Sequence, residues 1–158
     1  MLKYTTTQVT FREIPDEIAL CINISGCPIK CPDCHSKELW EEVGSELTTM
    51  ELDKLIEQNA GISCICFMGG DKDIPWLIHL ASYIKSAYPK LRTAWYSGRD
   101  SVPESYMGWF RYVKVGPYIK KFGGLDKSTT NQKLFKIISS SGAYQWKFDI
   151  TNKFWKKN

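Results

Sequence analysis

Apolar residues in this chain gather in short runs that end at glycine, and stretches of helical spacing lie between them. Ile18 to Ile24 is a near-continuous apolar run bounded by Ser25-Gly26, the pattern of a strand buried on both faces. Thr48-Thr49-Met50-Glu51 is an S/T-x-x-E capping box; behind it Leu52, Leu55 and Ile56 recur at helical spacing, and Asn59-Ala60-Gly61 is the stop. Ile62 to Met68 is a second apolar strand, cut off by Gly69-Gly70-Asp71. A second helix is predicted to start near Asp73 with Pro75 in its first turn, to present Leu77, Leu80, Ala81, Ile84 and Ala87 as a stripe, and to end at Pro89. Leu91 to Tyr96 is a third strand, ended by Ser97-Gly98. Glu104 to Trp109 is a short helical piece, and Tyr112 to Val115 is a fourth strand, ended by Gly116-Pro117. Past Gly123 the pattern weakens: Asp126 to Gln132 reads as a loop and Tyr144 to Ile150 as a last strand.

Strand, loop and helix thus alternate about three times, which predicts an α/β fold with a mostly parallel sheet and right-handed crossovers. A closed eight-stranded barrel typically needs ~250 residues and at least ~200. The 158 residues here are expected instead to form one domain, residues 1–158, with a partial (open) β/α barrel or open curved sheet. The segment after Ile24, the Gly69-Gly70-Asp71 turn and the Ser97-Gly98 turn each follow the C-terminal end of a predicted strand. Ligand sites of α/β sheets gather at that edge, so the three turns are expected on one rim.

Composition narrows the class. Apolar residues make up 43% and charged residues 24%, ordinary for a soluble globular chain. No apolar run approaches the ~20 residues of a membrane span. Met1 to Thr7 lacks the apolar stretch of a secretory signal, so a cytoplasmic protein without membrane association is expected. A net charge of +4 is too mild to suggest a nucleic-acid partner, and the basic end Lys153-Phe154-Trp155-Lys156-Lys157 reads as a solvated tail.

Six cysteines in such a chain read as metal-binding or catalytic, not as a disulfide framework. Cys64 and Cys66 lie two apart on a predicted strand and point to one face; with Cys21 they are expected to pack in the core as small hydrophobes. Cys27, Cys31 and Cys34 differ: they form a C-x3-C-x2-C run directly after the first strand. A closed structural zinc site wants four ligands, and so does an all-cysteine cubane. Three ligands on one loop either recruit a fourth, His35 or a distant cysteine, around zinc, or hold an iron–sulfur cluster with one metal corner open to chemistry.

The C-x3-C-x2-C loop resembles that of the radical S-adenosylmethionine superfamily. The segments beyond it resemble one family of that superfamily, the anaerobic ribonucleoside-triphosphate reductase-activating proteins. Cys34-His35-Ser36-Lys37-Glu38-Leu39-Trp40 is similar to their CH-(N/S)-x-x-x-W continuation, and Phe67-Met68-Gly69-Gly70-Asp71 to their GGD loop. Tyr96-Ser97-Gly98 resembles their Y-(T/S)-G, Gly116-Pro117-Tyr118-Ile119 their DGP-(F/Y) turn, and Ser128-Thr129-Thr130-Asn131-Gln132-Lys133 their GSSNQR segment. The match runs over roughly residues 14 to 136, in order. Asp33 stands where the superfamily usually has an aromatic residue, a departure shared with these activating proteins. Val115 replaces their acidic residue before Gly-Pro, and threonines occupy Thr129 and Thr130.

The resemblance implies a barrel of the radical S-adenosylmethionine type, with Cys27, Cys31 and Cys34 as ligands of a [4Fe–4S] cluster and S-adenosylmethionine as second cofactor. It implies cofactor contact by Gly69, Gly70, Asp71, Tyr96 and Ser97, with Asn131 and Gln132 facing the site or a partner. The implied activity is reductive cleavage of S-adenosylmethionine and formation of a glycyl radical on the large subunit of anaerobic ribonucleoside-triphosphate reductase. A flavodoxin or ferredoxin is the implied one-electron donor. The alternatives are an activator of another glycyl radical enzyme, a radical enzyme acting on a small molecule, and a non-catalytic zinc or iron–sulfur binding module.

Overall fold

The computed structural model of the protein describes residues 1–139 and 145–155. Strand β1 (Lys3–Thr10) lies antiparallel to β2 (Ala19–Ile24), and the two-residue β3 (Ser45–Glu46) borders β1 on its other side. Helix α1 (Thr49–Gln58) leads to β4 (Cys64–Met68), α2 (Ile74–Ala87) to β5 (Arg92–Tyr96), and the one-turn α3 (Glu104–Met107) to β6 (Tyr112–Val115). Strands β7 (Lys133–Ser139) and β8 (Gln145–Asp149) come last. All eight strands form one sheet in the order β3-β1-β2-β4-β5-β6-β7-β8.

This topology overturns the expected mostly parallel partial barrel. The β2–β4, β4–β5 and β5–β6 pairings are parallel, but the four remaining pairings that flank them are antiparallel. The sheet is mixed, with antiparallel pairings in the majority, and is not an open barrel of the radical S-adenosylmethionine type. The strands that change its character are those without an apolar run. In β1, Lys-Tyr-Thr-Thr-Thr-Gln-Val-Thr, not one residue is fully buried, so only its β-branched threonines mark it as extended. In β7 the buried residues Leu134 and Ile137 are three apart, which hides the two-residue period of a strand. No helix carries the chain from β6 to β7, and the return is antiparallel. The last strand is Gln145–Asp149; Tyr144, where it was expected to begin, lies outside the described residues, as do Lys156 and Lys157 of the basic end.

The predicted helices and the middle strands stand where the pattern put them, within one or two residues. Thr48 Oγ1 caps α1 by accepting from the Glu51 amide (3.1 Å), although the Glu51 carboxylate accepts from Tyr4 Oη and does not reach back to close the capping box. Asp73 caps α2 through the Trp76 amide (3.1 Å). All three helices pack on one face of the sheet. Leu52, Leu55, Leu77, Leu80, Ala81, Ile84 and Met107 meet Leu20, Ile22, Ile24, Ile65, Phe67, Trp95 and Val113 there. The second face carries Ala19, Cys21, Cys64, Cys66, Ala94 and Tyr112 under Ile14 and Leu134. Both faces of the middle strands are therefore covered, which is why those strands read as unbroken apolar runs. Among the described residues no helix is long and apolar enough to cross a membrane.

Helices α1 and α2 are tied by Asp53, whose carboxylate accepts from Tyr83 Oη (2.7 and 2.9 Å) and Tyr88 Oη (2.6 Å). The Tyr88 hydroxyl, then that of Tyr83, holds the Asp53 carboxyl below its usual range. A depressed carboxyl stabilises the fold above its unfolded pKa of about 4, and that stability is lost as pH falls through the lower folded value. The stability advantage of wild type over Asp53→Asn is expected to be full near neutrality and to shrink as pH drops below about 4. Urea denaturation of both proteins across that range checks it, and a gap that stays constant with pH would refute it.

Candidate metal centre

The cysteine loop leaves the C-terminal end of β2 and is closed at its base by the segment just beyond it. The Gly26 amide donates to Glu41 O (3.0 Å) and the Cys27 amide to Leu39 O (2.9 Å). Lys30 takes a left-handed conformation (φ 51°), which lets the chain reverse before Cys31, and the Cys34 amide then donates to Cys31 O (3.0 Å). The Ser36 amide donates to Cys34 Sγ (3.3 Å), which fixes the sulfur against the backbone just beyond it. All three thiols are free and half-buried. Among the described residues no three His, Cys, Asp or Glu side chains converge closely enough for a single ion, whose tetrahedral sulfurs would lie about 3.8 Å apart. The soft donor set, three half-buried thiols on one loop, suits an iron–sulfur cluster in its chemistry. His35 packs its ring on Tyr118 (centroids 4.9 Å apart).

The three turns predicted to share a rim do so. At Gly98 a Cβ would sit 2.8 Å from Ile29 Cγ1, so the turn after β5 lies directly against the loop between Cys27 and Cys31. At Gly26 a Cβ would meet the Lys72 side chain (3.2 Å), which brings the same loop against the turn after β4. Gly69 (φ 113°) and Gly70 (φ 104°) both take backbone angles that only glycine adopts without strain, and the Gly69 amide donates to Tyr96 O (3.1 Å). The turns after β4 and β5 are joined by the carboxylate of Asp71. It accepts from Ser97 Oγ (2.6 Å), the Gly98 amide (3.1 Å) and Arg99 Nε (3.3 Å), while Arg99 Nη2 donates to Asp71 O (3.2 Å). Asp71 and Ser97 are buried and bonded to each other, so both are engaged within the protein.

Below this rim, on the face away from the helices, a cavity of about 330 Å³ is walled by Arg12, Glu13, Tyr96, Lys114, Asp126 and Gln132, among others. Tyr96 Oη donates to Glu13 O. Burial pushes the Glu13 carboxyl up and the Tyr96 phenol well up. A larger cavity of about 520 Å³ opens at the opposite edge, around Arg92, Thr93 and Arg111 at the beginnings of β5 and β6, with no cysteine in its walls. Gln132 Nε2 donates to Gly116 O (3.3 Å) and Asn131 Nδ2 to Pro117 O (3.0 Å). Asn131 Oδ1 is buried with no hydrogen-bond partner among the described residues. The departing threonines have local partners: Thr129 Oγ1 donates to Phe122 O (2.7 Å) and Thr130 Oγ1 to Gly123 O (3.0 Å). Val115 is buried in the helix-side core.

Cys21, Cys64 and Cys66 are buried, as expected of core cysteines, and burial pushes the Cys64 and Cys66 thiols up, away from ionisation. Two residues of the rim were missed in the sequence. Arg99 clamps Asp71, and Lys114 lies buried in β6 with Nζ on Ser97 O (3.1 Å) and Gly116 O (2.7 Å). A signal for Lys114 was present: a lysine inside the otherwise apolar strand Tyr-Val-Lys-Val is seldom buried without a partner.

Because a Cβ at Gly98 would collide with Ile29, Gly98→Ala must push Ile29 and the loop that carries Cys27 and Cys31. Iron retained after anaerobic reconstitution is expected to fall several-fold in Gly98→Ala, with the unfolding midpoint little changed. Trimming the contact in Gly98→Ala/Ile29→Ala should recover most of the iron. An iron content in Gly98→Ala equal to wild type would show that the loop tolerates the displacement.

A comparison with protein families matches residues 18–102 to the 4Fe-4S single cluster domain. The matched span is more than half of the 158 residues and runs from the start of β2 through the cysteine loop, the diglycine turn and the Ser97-Gly98 turn. No curated protein and no solved structure matches the chain. Cysteine loop, donor chemistry and family match agree, and the chain belongs to the 4Fe-4S single cluster domain family, an iron–sulfur protein that binds a [4Fe–4S] cluster.

Proposed function

We propose that the protein is a radical S-adenosylmethionine enzyme that activates a glycyl radical enzyme, by resemblance the anaerobic ribonucleoside-triphosphate reductase. The observation that supports this most is the packing of the Ser97-Gly98 turn against Ile29, inside the C-x3-C-x2-C loop. It sets the turns resembling the family's cofactor-binding loops beside the three thiols. The reading needs that rim at the ends of β4 and β5; it does not need a barrel.

In this reading Cys27, Cys31 and Cys34 would hold the cluster, with S-adenosylmethionine bound beside it. The bound cluster would supply the electron for reductive cleavage of S-adenosylmethionine, and the cleavage would supply the means of taking a hydrogen atom from a glycine Cα of the partner. The protein's part is to bind, orient and exclude water. The bare backbone of Gly69 and Gly70 lets the methionine end approach closely. Asp71 and Ser97 hold the two turns at the right separation through their mutual hydrogen bond, instead of reaching the cofactor themselves. Tyr96 and Gln132 line the cavity where substrate would enter, and Asn131 Oδ1 is an acceptor left for a ligand. The electron comes from a flavodoxin or ferredoxin, and the hydrogen from a glycine in a large partner whose loop inserts beside the rim.

The test is anaerobic. The reconstituted, reduced protein is expected to convert S-adenosylmethionine to 5′-deoxyadenosine and methionine in equal amounts. Cys31→Ala is expected to lose both the cluster and the turnover. Fully loaded wild-type protein that leaves S-adenosylmethionine intact would remove the proposal, and turnover by Cys31→Ala would remove the ligand assignment. Co-purification with a reductase large subunit distinguishes the proposed partner from another glycyl radical enzyme.

A further inference from the structure

We infer that Lys114 is a fixed positive charge behind the iron–sulfur cluster and raises the cluster's readiness to accept an electron. The inference rests on the cluster alone and stands whether or not S-adenosylmethionine is the second cofactor.

Lys114 is 8% exposed, and its strand is buried at all four positions. It pairs in register with Tyr96 of β5, with its ammonium 6.0 Å from the centre of the Tyr96 ring. The ammonium donates to Ser97 O (3.1 Å) and Gly116 O (2.7 Å), carbonyls of the turns after β5 and β6. Ser97 is the residue whose hydroxyl holds Asp71, and its neighbour Gly98 touches Ile29 of the cysteine loop. The charge therefore lies one turn behind the thiols.

A buried ammonium loses its hydration and persists only when other groups offset that loss. Two carbonyls do so in part. The other support is the negative field of the cysteine loop and its neighbour: burial lowers the Lys114 pKa to about 8, while Cys31, Asp71, Cys27 and Cys34 pull it upward, Cys31 most. A neutral donor would serve the two carbonyls, whereas a cation also offsets the negative charge of thiolates carrying a cluster. Electron uptake makes the cluster more negative, and a nearby cation that is largely buried, and so only weakly screened by water, favours that product. Net charge and burial are established levers on cluster potential.

The test compares wild type, Lys114→Gln and Lys114→Arg as full chains, reconstituted anaerobically and matched for iron and sulfide. Gln keeps a donor for the two carbonyls but removes the charge; Arg keeps the charge. At a fixed solution potential near the wild-type midpoint, the ratio of reduced to oxidised cluster is expected to fall about tenfold in Lys114→Gln. That is a midpoint about 59 mV more negative for a one-electron couple. Lys114→Arg is expected to stay close to wild type. The inference is overturned if loaded Lys114→Gln titrates with wild type, or if Lys114→Arg shifts as far as Lys114→Gln. Failure of both variants to take up iron would also overturn it, since Lys114 would then shape the loops and not the potential. A lowered potential in Lys114→Gln, in a protein that never cleaves S-adenosylmethionine, would uphold this inference and remove only the proposed function.

Discussion

The Asp71 carboxylate is out of contact with solvent, and three donors from one neighbouring turn converge on it. A buried charge of this kind is tolerable only while its hydrogen bonds are complete, and bonds to a charged group contribute about 1.5–3 kcal/mol each. The carboxylate belongs to the turn after β4, and its donors Ser97 Oγ, the Gly98 amide and Arg99 Nε belong to the turn after β5. One side chain thus joins the two loops at the sheet edge, beyond the backbone bond from the Gly69 amide to Tyr96 O. The same turn supports the cysteine loop through Gly98 and supplies a carbonyl to Lys114. The tie links the diglycine turn to the β5 turn, on which the cysteine loop and the buried cation both rest.

The mixed sheet supplies what surrounds that rim. The four parallel strands β2, β4, β5 and β6 end at one edge, so the turns at their ends meet there. The antiparallel strands on either side, β1 and β7, widen the sheet and carry groups back towards the same place. Glu13, just beyond β1, accepts from Tyr96, and Gln132, just before β7, donates to Gly116 O. The cavity below the rim is therefore walled from both flanks, with Glu13 and Tyr96 on one side and Lys114 with Gln132 on the other.

Those parts of the molecule whose physics is local were legible in the sequence. Ala19–Ile24 and Cys64–Met68 are buried on both faces, so runs of hydrophobic residues reported them directly. The caps Thr48 and Asp73 announced their helices, and the rim could be read from the order of turns along the chain. The antiparallel flanks were not legible, and that is why the expected barrel fails. β1 is half-exposed and threonine-rich, and β7 buries residues on both faces at an irregular interval, so neither leaves a periodic trace. The partners of Asp71 were hidden for a different reason. A carboxylate followed by a helix reads equally well as a ligand, a cap or a clamp, and only Ser97 and Arg99, 26 and 28 residues further on, decide between them. Lys114 was passed over because a strand of four residues, Tyr-Val-Lys-Val, reads as apolar whether or not its one charge is aimed at something.

The closure of the cysteine loop at its base and the clamp of Asp71 are made wholly from protein atoms. Neither depends on iron. In the smallest zinc domains the ion is the core, and its removal unfolds the chain; here a separate hydrophobic core stands on both faces of the sheet. The cysteine loop therefore stands on a scaffold held by apolar burial and by hydrogen bonds between protein groups, so the fold and the inorganic centre draw on separate sources of stability.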